Sequence, residues 1–498
     1  MSGRSRPALA GLLAVAAGVA AAELVAAAIG RPQAGTLVAV GAVLVDAAPT
    51  PVKEFAVATL GTADKPVLLS GIGLVLALLA ALLGVAAHRT RMTGFAGAAA
   101  LGIVGVAAAL TRPAAAPLDA LPSLVGALVV AATLLLLLHV RARPLPTGGE
   151  GVDRRAFVVA ATLVAAGAAA AVGGAAVLRR SLDTARTRAA VRLPPPAVAA
   201  PPLPAVDPGF LTGNAEFYRV DTALTVPQVD LESWRLTVGG MVDRPVELTF
   251  ADVLARPLVE RVVTLTCVSN EVGGPYVGTA TWLGVPLIPL LREVGVRPGA
   301  DQLIARSVDG MTIGTPVATL VDGREPLLCV GMNGEPLPTE HGFPLRMLTP
   351  GLYGYVGACK WLTELELTTF DAVDAYWTER GWSPNGPVKT ASRIDRPAPF
   401  TRLGPGTVPV AGVAWAQGRG ISAVEVRVDD GPWQRAVLRP VPSVNTWVQW
   451  RYDWAATPGS HTLRVRATDG TGATQPEERT PPFPDGATGW HSVVVTIS

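Results

Sequence analysis

The stretch Thr264-Leu265-Thr266-Cys267-Val268-Ser269-Asn270, followed by Glu271-Val272-Gly273-Gly274, decides how the rest of the chain is read. Val262 to Thr266 is a run of apolar and β-branched residues, the composition of a strand. Cys267 stands where that strand gives way to polar residues and a glycine turn. A strand end is a rigid ligand platform. A thiolate is a soft, strongly donating ligand, suited to a metal that also carries sulfur from an organic group. Taken alone, the heptapeptide equally fits a buried cysteine packed as a small hydrophobe. The 3 cysteines, Cys267, Cys329 and Cys359, form no CxxC pair. That spacing suggests neither a disulfide framework nor a zinc site, so a functional cysteine here acts singly.

Downstream lie Met332-Asn333-Gly334-Glu335-Pro336-Leu337-Pro338, then His341-Gly342-Phe343-Pro344-Leu345-Arg346, then Pro350 to Leu362 with Gly351, Gly354, Gly357, Cys359 and Lys360. Arg346 and Lys360 supply positive charge, and the glycine-rich segment 351–357 permits close backbone approach, a combination suited to an anion. Each of these residues alone also reads as a solvated strand-end charge or a turn cap. Together with Cys267 upstream and the segment Phe217-Tyr218-Arg219-Val220-Asp221, the set resembles the sulfite oxidase family of molybdopterin enzymes over about residues 210–400.

The resemblance implies a molybdenum–molybdopterin cofactor (Moco), with Cys267 as the protein's ligand to the metal. It also implies cofactor contacts from Tyr218, Arg219, Asp221, Thr222, Ser307, His341, Arg346, Gly357 and Lys360. The implied reaction is two-electron oxygen-atom transfer. No CxxCH or other haem or iron–sulfur motif occurs in the chain, so the electron-transfer partner is expected to be separate. Sulfite oxidases carry an arginine shortly after the cysteine and a tyrosine just before the Met-Asn-Gly segment, and here Glu271 and Val330 take those places. A carboxylate there opposes a sulfite dianion. Sulfite is therefore not the expected substrate, and reduction of a small-molecule or protein sulfoxide fits as well.

Residues 1–180 have a different composition, dominated by Ala, Leu, Val and Gly. Apolar runs at 8–29, 66–87, 94–111, 121–140 and 156–178 each reach roughly 20 residues, enough at ~1.5 Å per residue to cross a ~30 Å hydrocarbon layer. Residues 36–50 are apolar too, but Asp46, Pro49 and Pro51 interrupt them and leave open whether they span. With five spans, Arg4, Arg6, Arg89, Arg91, Arg141, Arg143, Arg154 and Arg155 fall on one side, which favours that side as cytoplasmic. Arg179, Arg180, Arg186, Arg188 and Arg192 on the other side oppose that assignment. Asp153-Arg154-Arg155-Ala156-Phe157-Val158-Val159 resembles a twin-arginine export signal, and also reads as an ordinary basic helix end. Glu23 and Asp46 read as interfacial charges near helix ends, with ion or proton handling as the alternative.

Residues 181–208 are expected to be a Pro-rich, extended linker, and 209–400 an α+β domain with short strands such as Trp234 to Val238, Val262 to Thr266 and Leu303 to Ala305. From about 401 to 498, alternating strands at Val408 to Trp415, Ala423 to Asp429, Trp447 to Trp454, His461 to Thr468 and Trp490 to Ile497 point to an immunoglobulin-like sandwich. Its Gly489-Trp490-His491-Ser492-Val493 segment resembles the region that pairs subunits in the family, which implies a homodimer. The expected fold is therefore multi-domain: a transmembrane helical bundle, a sulfite-oxidase-like α+β molybdopterin domain, and the sandwich. The expected location is a bacterial cell membrane, with the catalytic domain on its outer side. A net charge of +2 and the lack of a basic, aromatic-interleaved stripe argue against nucleic acid. Two other readings compete. One is a non-enzymatic surface scaffold displayed on a stalk; the other is a transporter using Glu23 or Asp46, although no internal repeat supports it.

Overall fold

Runs of small and aliphatic residues without a polar face build the helices of the amino-terminal part: α1 (Ser5–Ala28), α2 (Thr36–Ala47), α3 (Asp64–Arg89), α4 (Arg91–Leu110), α5 (Leu121–His139) and α6 (Arg154–Ser181). The computed structural model describes residues 5–49, 63–139, 154–181, 184–205 and 209–498, with a few positions between 52 and 60. Arg4, Pro51, Arg141, Arg143, Asp153 and Val206 to Pro208 lie outside the described residues, as do the side chains of Arg154 and Arg180. Among the described residues, five helices are long and apolar enough to cross a membrane. α2, with 12 residues, reaches only about 18 Å and is too short to do so.

α1 lies against α3, α5 and α6. At the α1–α3 crossing a side chain on Gly11 would overlap Ala80 and Gly84, and one on Gly84 would overlap Pro7 and Gly11. The two backbones therefore meet directly, the small-residue packing that lets apolar helices associate without a polar interface. α3 and α4 join at a single residue, Thr90, whose side chain caps α4 by accepting a hydrogen bond from Thr93 N. Three acidic residues of this part have basic partners: Glu23 pairs with Arg179, Asp46 with Arg112 and Asp119 with Arg31. Paired in this way, they avoid the cost of a lone carboxylate in an apolar setting.

By contact density the chain divides into two units, Met1–Asp183 with Thr222–Gln228, and Thr184–Asp221 with Val229–Ser498. The second unit begins with α7 (Thr184–Ala190). Beyond it the Pro-rich tract is extended, as its composition requires, but it is not a free stalk. Val198 forms a parallel bridge to Val259, and its carbonyl accepts from Glu260 N at 2.8 Å.

The strands that follow are β1 (Arg235–Gly240), β2 (Val246–Thr249), β3 (Val259–Thr266), β4 (Val277–Pro286), β5 (Gln302–Ser307), β6 (Thr312–Pro316), β7 (Leu327–Met332), β8 (Glu335–Pro336), β9 (Arg346–Leu348) and β10 (Leu362–Thr368). They form one sheet in the order β2-β1-β10-β5-β6 and another in the order β3-β4-β7-β8, with β9 also on β7. The second sheet carries a core of Val263, Leu265, Trp282, Leu327, Cys329, Met332 and Phe343.

The carboxy-terminal region is β-rich, as expected, but its first strand comes earlier than residue 401. β11 (Ala391–Arg396) pairs with β13 (Gly406–Trp415) and so belongs to this region. β12 (Arg402–Leu403), β14 (Ile421–Val428), β15 (Gln434–Arg435), β16 (Val437–Leu438), β17 (Val448–Ala456), β18 (Gly459–Asp469) and β19 (His491–Ile497) complete it. The sheet orders are β11-β13-β17-β16 and β12-β19-β18-β14-β15. Alternate residues of both sheets, among them Val410, Trp450, Val426, Val465 and Val495, share one core, which is why period-2 patterning is readable there.

Candidate cofactor site

β3 is buried on both faces at its carboxy-terminal end, and Cys267 is the first residue beyond it. Cys267 N donates to Tyr276 O at 3.0 Å, Asn270 N donates to Cys267 O at 3.1 Å, and Asn270 Oδ1 accepts from Tyr276 N at 2.8 Å, closing the loop that follows into a fixed turn. All three cysteines are free thiols, but only Cys267 is partly exposed; Cys329 and Cys359 are fully buried. Burial raises the Cys267 thiol above its ordinary range, opposed by hydrogen bonds at Ser269 and by the Lys360 charge. Burial pushes the Cys329 thiol up to about 12.

Arg346 starts β9, and Lys360 lies on the segment running beside that strand, where Met347 N donates to Cys359 O at 2.9 Å. Gly342, at φ 114°, brings the chain past both stems: a Cβ there would sit 3.1 Å from Lys360 Cα and 3.3 Å from Arg346 Cβ. Lys360 Nζ donates to Asp221 Oδ2 at 2.8 Å, and Arg219 Nε donates to the same oxygen at 2.9 Å. Three cations thus converge with one carboxylate. Arg346 is 6% exposed, and among the described residues it has no ion-pair partner. Its guanidinium lies 5.2 Å from the centre of the Trp282 ring, Nη1 donates to His341 O at 3.3 Å, and Nε has no hydrogen-bond partner. Burial lowers the Arg346 pKa and pulls Lys360 down to about 8 against the opposing pull of Asp221.

Tyr218 stacks on Phe217 at 5.2 Å between ring centres, and burial raises its phenol, with the neighbouring Cys267 adding to the rise. His341 Nε2 lies 2.9 Å from Asn214 O; since a carbonyl only accepts, Nε2 carries the proton. Burial brings that imidazole down to about 4, so the ring is neutral at pH 7. Ser307, at the end of β5, has a buried hydroxyl without a partner.

Two residues implied by the resemblance make no side-chain hydrogen bond or ion pair with this cluster among the described residues. Thr222 belongs to Thr222–Gln228, which clusters with the helical unit. Gly357 is closed in by the protein, since a Cβ there would meet Leu352 Cβ at 2.9 Å and Thr349 O at 3.1 Å, so its missing side chain serves packing. Of the two departures from sulfite oxidases, Glu271 is exposed, whereas Val330 is wholly buried in β7. Sequence reading missed Asn214, which holds His341, and Trp282, which faces Arg346. Each acts on a residue far away in the chain, and no local pattern marks it.

Buried donors without partners and a surplus of two positive charges are features that an anionic ligand with acceptor oxygens satisfies. A molybdopterin, with its terminal phosphate, fits this donor set, and the partly open Cys267 fits a metal that needs one thiolate.

Residues 223–377 match the family model described as oxidoreductase molybdopterin binding domain. Similar curated proteins include the uncharacterized oxidoreductase YuiH of Bacillus subtilis (strain 168), 32% identical over 179 residues, which are 36% of this chain and 82% of that one. Mitochondrial sulfite oxidase of Rattus norvegicus is 30% identical over 283 residues, 48% of this chain and 51% of that one. The chain thus spans about half the length of the rat and mouse sulfite oxidases. Among solved structures, the sulfane dehydrogenase SoxCD from Paracoccus pantotrophus superposes with a TM-score of 0.51 at 22% identity, covering 59% of this chain and 85% of that one, a likeness of fold. With the cluster of cations near a partly exposed cysteine, these similarities place the chain in the sulfite oxidase family of molybdopterin-dependent oxidoreductases, and its cofactor is the molybdenum–molybdopterin group.

Proposed function

We propose that this chain is a membrane-anchored enzyme of the outer face of a bacterial membrane, with Cys267 as the protein's ligand to molybdenum. When bound, the cofactor supplies two-electron oxygen-atom transfer chemistry. The observation that carries the reading is the contrast among the cysteines: Cys267 alone is partly exposed, and the Lys360 charge acts on it from a cluster whose cations outnumber its carboxylates.

In this reading Arg346, Lys360 and Arg219 hold the pterin phosphate as fixed positive charge, with Asp221 orienting Lys360 and Arg219. The spare donors of Ser307 and Arg346 serve the same ligand. Tyr218 stays a neutral phenol and His341 a neutral imidazole, so each offers a hydrogen bond without adding charge.

Five membrane crossings put the amino terminus and the catalytic unit on opposite sides. Two of the five arginines that opposed the charge rule are engaged: Arg179 pairs with Glu23, and Arg188 pairs with Glu335 at 2.8 Å. The eight arginines on the amino-terminal side, against these five at or beyond the end of α6, support a cytoplasmic amino terminus. Arg154 and Arg155 at the head of α6 act as a twin-arginine signal, a route that carries a domain already folded around its cofactor. The carboxy-terminal region is an immunoglobulin-like sandwich that pairs two copies. The substrate is a sulfur–oxygen compound other than sulfite, and a separate protein or carrier exchanges the electrons.

Metal analysis of the full chain, made in a cofactor-competent host and purified in detergent, is expected to find close to one molybdenum per chain. Cys267→Ser is expected to abolish turnover while the protein stays folded, and Cys329→Ser and Cys359→Ser to retain most activity. Well-folded wild-type protein without molybdenum or pterin overturns the enzyme reading. Activity that follows Cys359 in place of Cys267 overturns the ligand assignment.

A further inference from the structure

β3 is an edge strand, paired with β4 on one side only. Edge strands expose unpaired backbone groups that a protein must cover. Here the cover changes along the strand. Near its start Glu260 N donates to Val198 of the Pro-rich tract, whereas near its end Thr264 N donates to Asn445 O at 3.0 Å, on the loop before β17. Three more bonds follow from the carboxy-terminal region: Trp447 N donates to Thr264 Oγ1 at 2.7 Å, and Gln417 Nε2 donates to Thr264 O at 3.0 Å and Thr266 Oγ1 at 3.2 Å. Gln417 is 2% exposed, and Thr266 is the residue before Cys267.

The same region also reaches the other side of the cysteine. Arg393 Nη1 of β11 donates to Gly274 O at 2.8 Å. Gly273 has φ 82°, and a side chain there would overlap the ring of His491, so the imidazole lies directly on the loop. His491 Nδ1 accepts from Ile394 N at 3.0 Å, which fixes the ring and its tautomer. Val262 and Val268 share one buried cluster with Val413, Trp415 and Trp447.

We propose that the carboxy-terminal region positions Cys267 by gripping its segment on both sides, with Gln417 and His491 as positioning residues. This rests on the reading of Cys267 as the metal's ligand. The Cys267–Tyr276 and Asn270–Tyr276 bonds close the turn itself but leave its orientation to what holds the flanking strand and glycines. Bonds at 264, 266 and 274 remove that freedom and set the direction in which the sulfur points. The region is therefore part of the metal site's support, in addition to any part in pairing subunits, because ligand orientation governs the metal's electronic character.

The test uses the full-length holoenzyme and reads the metal directly, by the sulfur-to-metal absorption band, the electron paramagnetic resonance spectrum of the half-reduced metal, and its midpoint potential. Gln417→Leu and His491→Ala are expected to keep most of their molybdenum but to shift the band and the resonance spectrum, with kcat down roughly tenfold and KM little changed. His491→Asn, whose Oδ1 can accept from Ile394 N as Nδ1 does, is expected to restore the wild-type spectrum. Should the fully buried Gln417→Leu fail to fold, the less buried His491 pair carries the test. Wild-type spectra and potential in Gln417→Leu and His491→Ala, with only a lowered melting temperature, overturn the inference. Cys267→Ser separates the two ideas: an unchanged spectrum there overturns the ligand reading and this inference together, whereas a changed spectrum beside unaltered positioning variants overturns this inference alone.

Discussion

In the helical unit Glu23, Asp46 and Asp119 each face their own arginine, Arg179, Arg112 and Arg31. In the second unit Arg219 and Lys360 share the single carboxylate of Asp221, and Arg346 is buried without one among the described residues. Charges matched one to one describe structure, since each pair neutralises a group that its apolar surroundings would otherwise penalise. Charges left in surplus and buried describe a ligand, since the protein carries their desolvation cost without a partner of its own. Whether a buried arginine is structural or functional is thus decided by what faces it. By that criterion Glu23 and Asp46 have structural partners, which favours the interfacial reading over ion handling.

The strongest test of the contrast removes one arginine of each kind. Arg346→Met is expected to weaken cofactor retention by roughly a hundredfold, the scale of a lost charge-assisted contact of about 1.5–3 kcal/mol. Arg179→Met is expected to leave the molybdenum content per folded chain unchanged and to destabilise the helical unit. Equal molybdenum content in both variants would break the distinction.

Protonation tests the neutral groups near the pocket. His341 and His491 are held near 4 by burial, against about 6.5 when exposed. The unfolded chain binds those protons first, so stability declines as pH falls from about 6.5 to about 4 and these two groups cost nothing further below that. Each contributes at most about 3.4 kcal/mol. Melting temperature against pH for wild type and His491→Asn checks this, the variant showing the shallower acid decline.

A smaller effect concerns Lys360. In the cofactor-free protein its ammonium titrates near 8, so reassociation of the cofactor is expected to weaken severalfold as pH rises from about 7 to about 9, with Lys360→Met insensitive over that range. A pH-independent wild type would place the phosphate away from Lys360.

The smallest effect is at Glu271. Because the carboxylate is exposed and Val330 is buried out of reach, the electrostatic penalty on sulfite is softened by solvent. Glu271→Gln is expected to raise kcat/KM for sulfite by less than about fivefold. Wild-type turnover of roughly 1 to 1000 per second at micromolar sulfite would remove the argument against that substrate.

Much of the fold and of the site is legible in the amino-acid sequence. The five apolar runs, the strands β13, β14, β17, β18 and β19 and the strand ending at Cys267 all appear in place, because each is written in a short window: about 20 apolar residues, a period of two, a strand that ends in a cysteine. Boundaries that depend on partners are not legible in this way. β11 joins the carboxy-terminal region only because its partner is β13, and the Pro-rich tract ceases to be a stalk only because β3 offers it an open edge.

What the sequence by itself determined is therefore the local chemistry: helices too apolar for water, strands of alternating burial, one cysteine at a strand end and a following run of Arg, His, Gly and Lys. What only the tertiary structure decided is which of these meet. Lys360 finds Asp221 across 139 residues, Gln417 finds Thr264 across 153, and Arg346 finds no carboxylate among the described residues. Those distances are closed by sheets packing on sheets, and the burial they impose on a charge has no local period for a sequence to display.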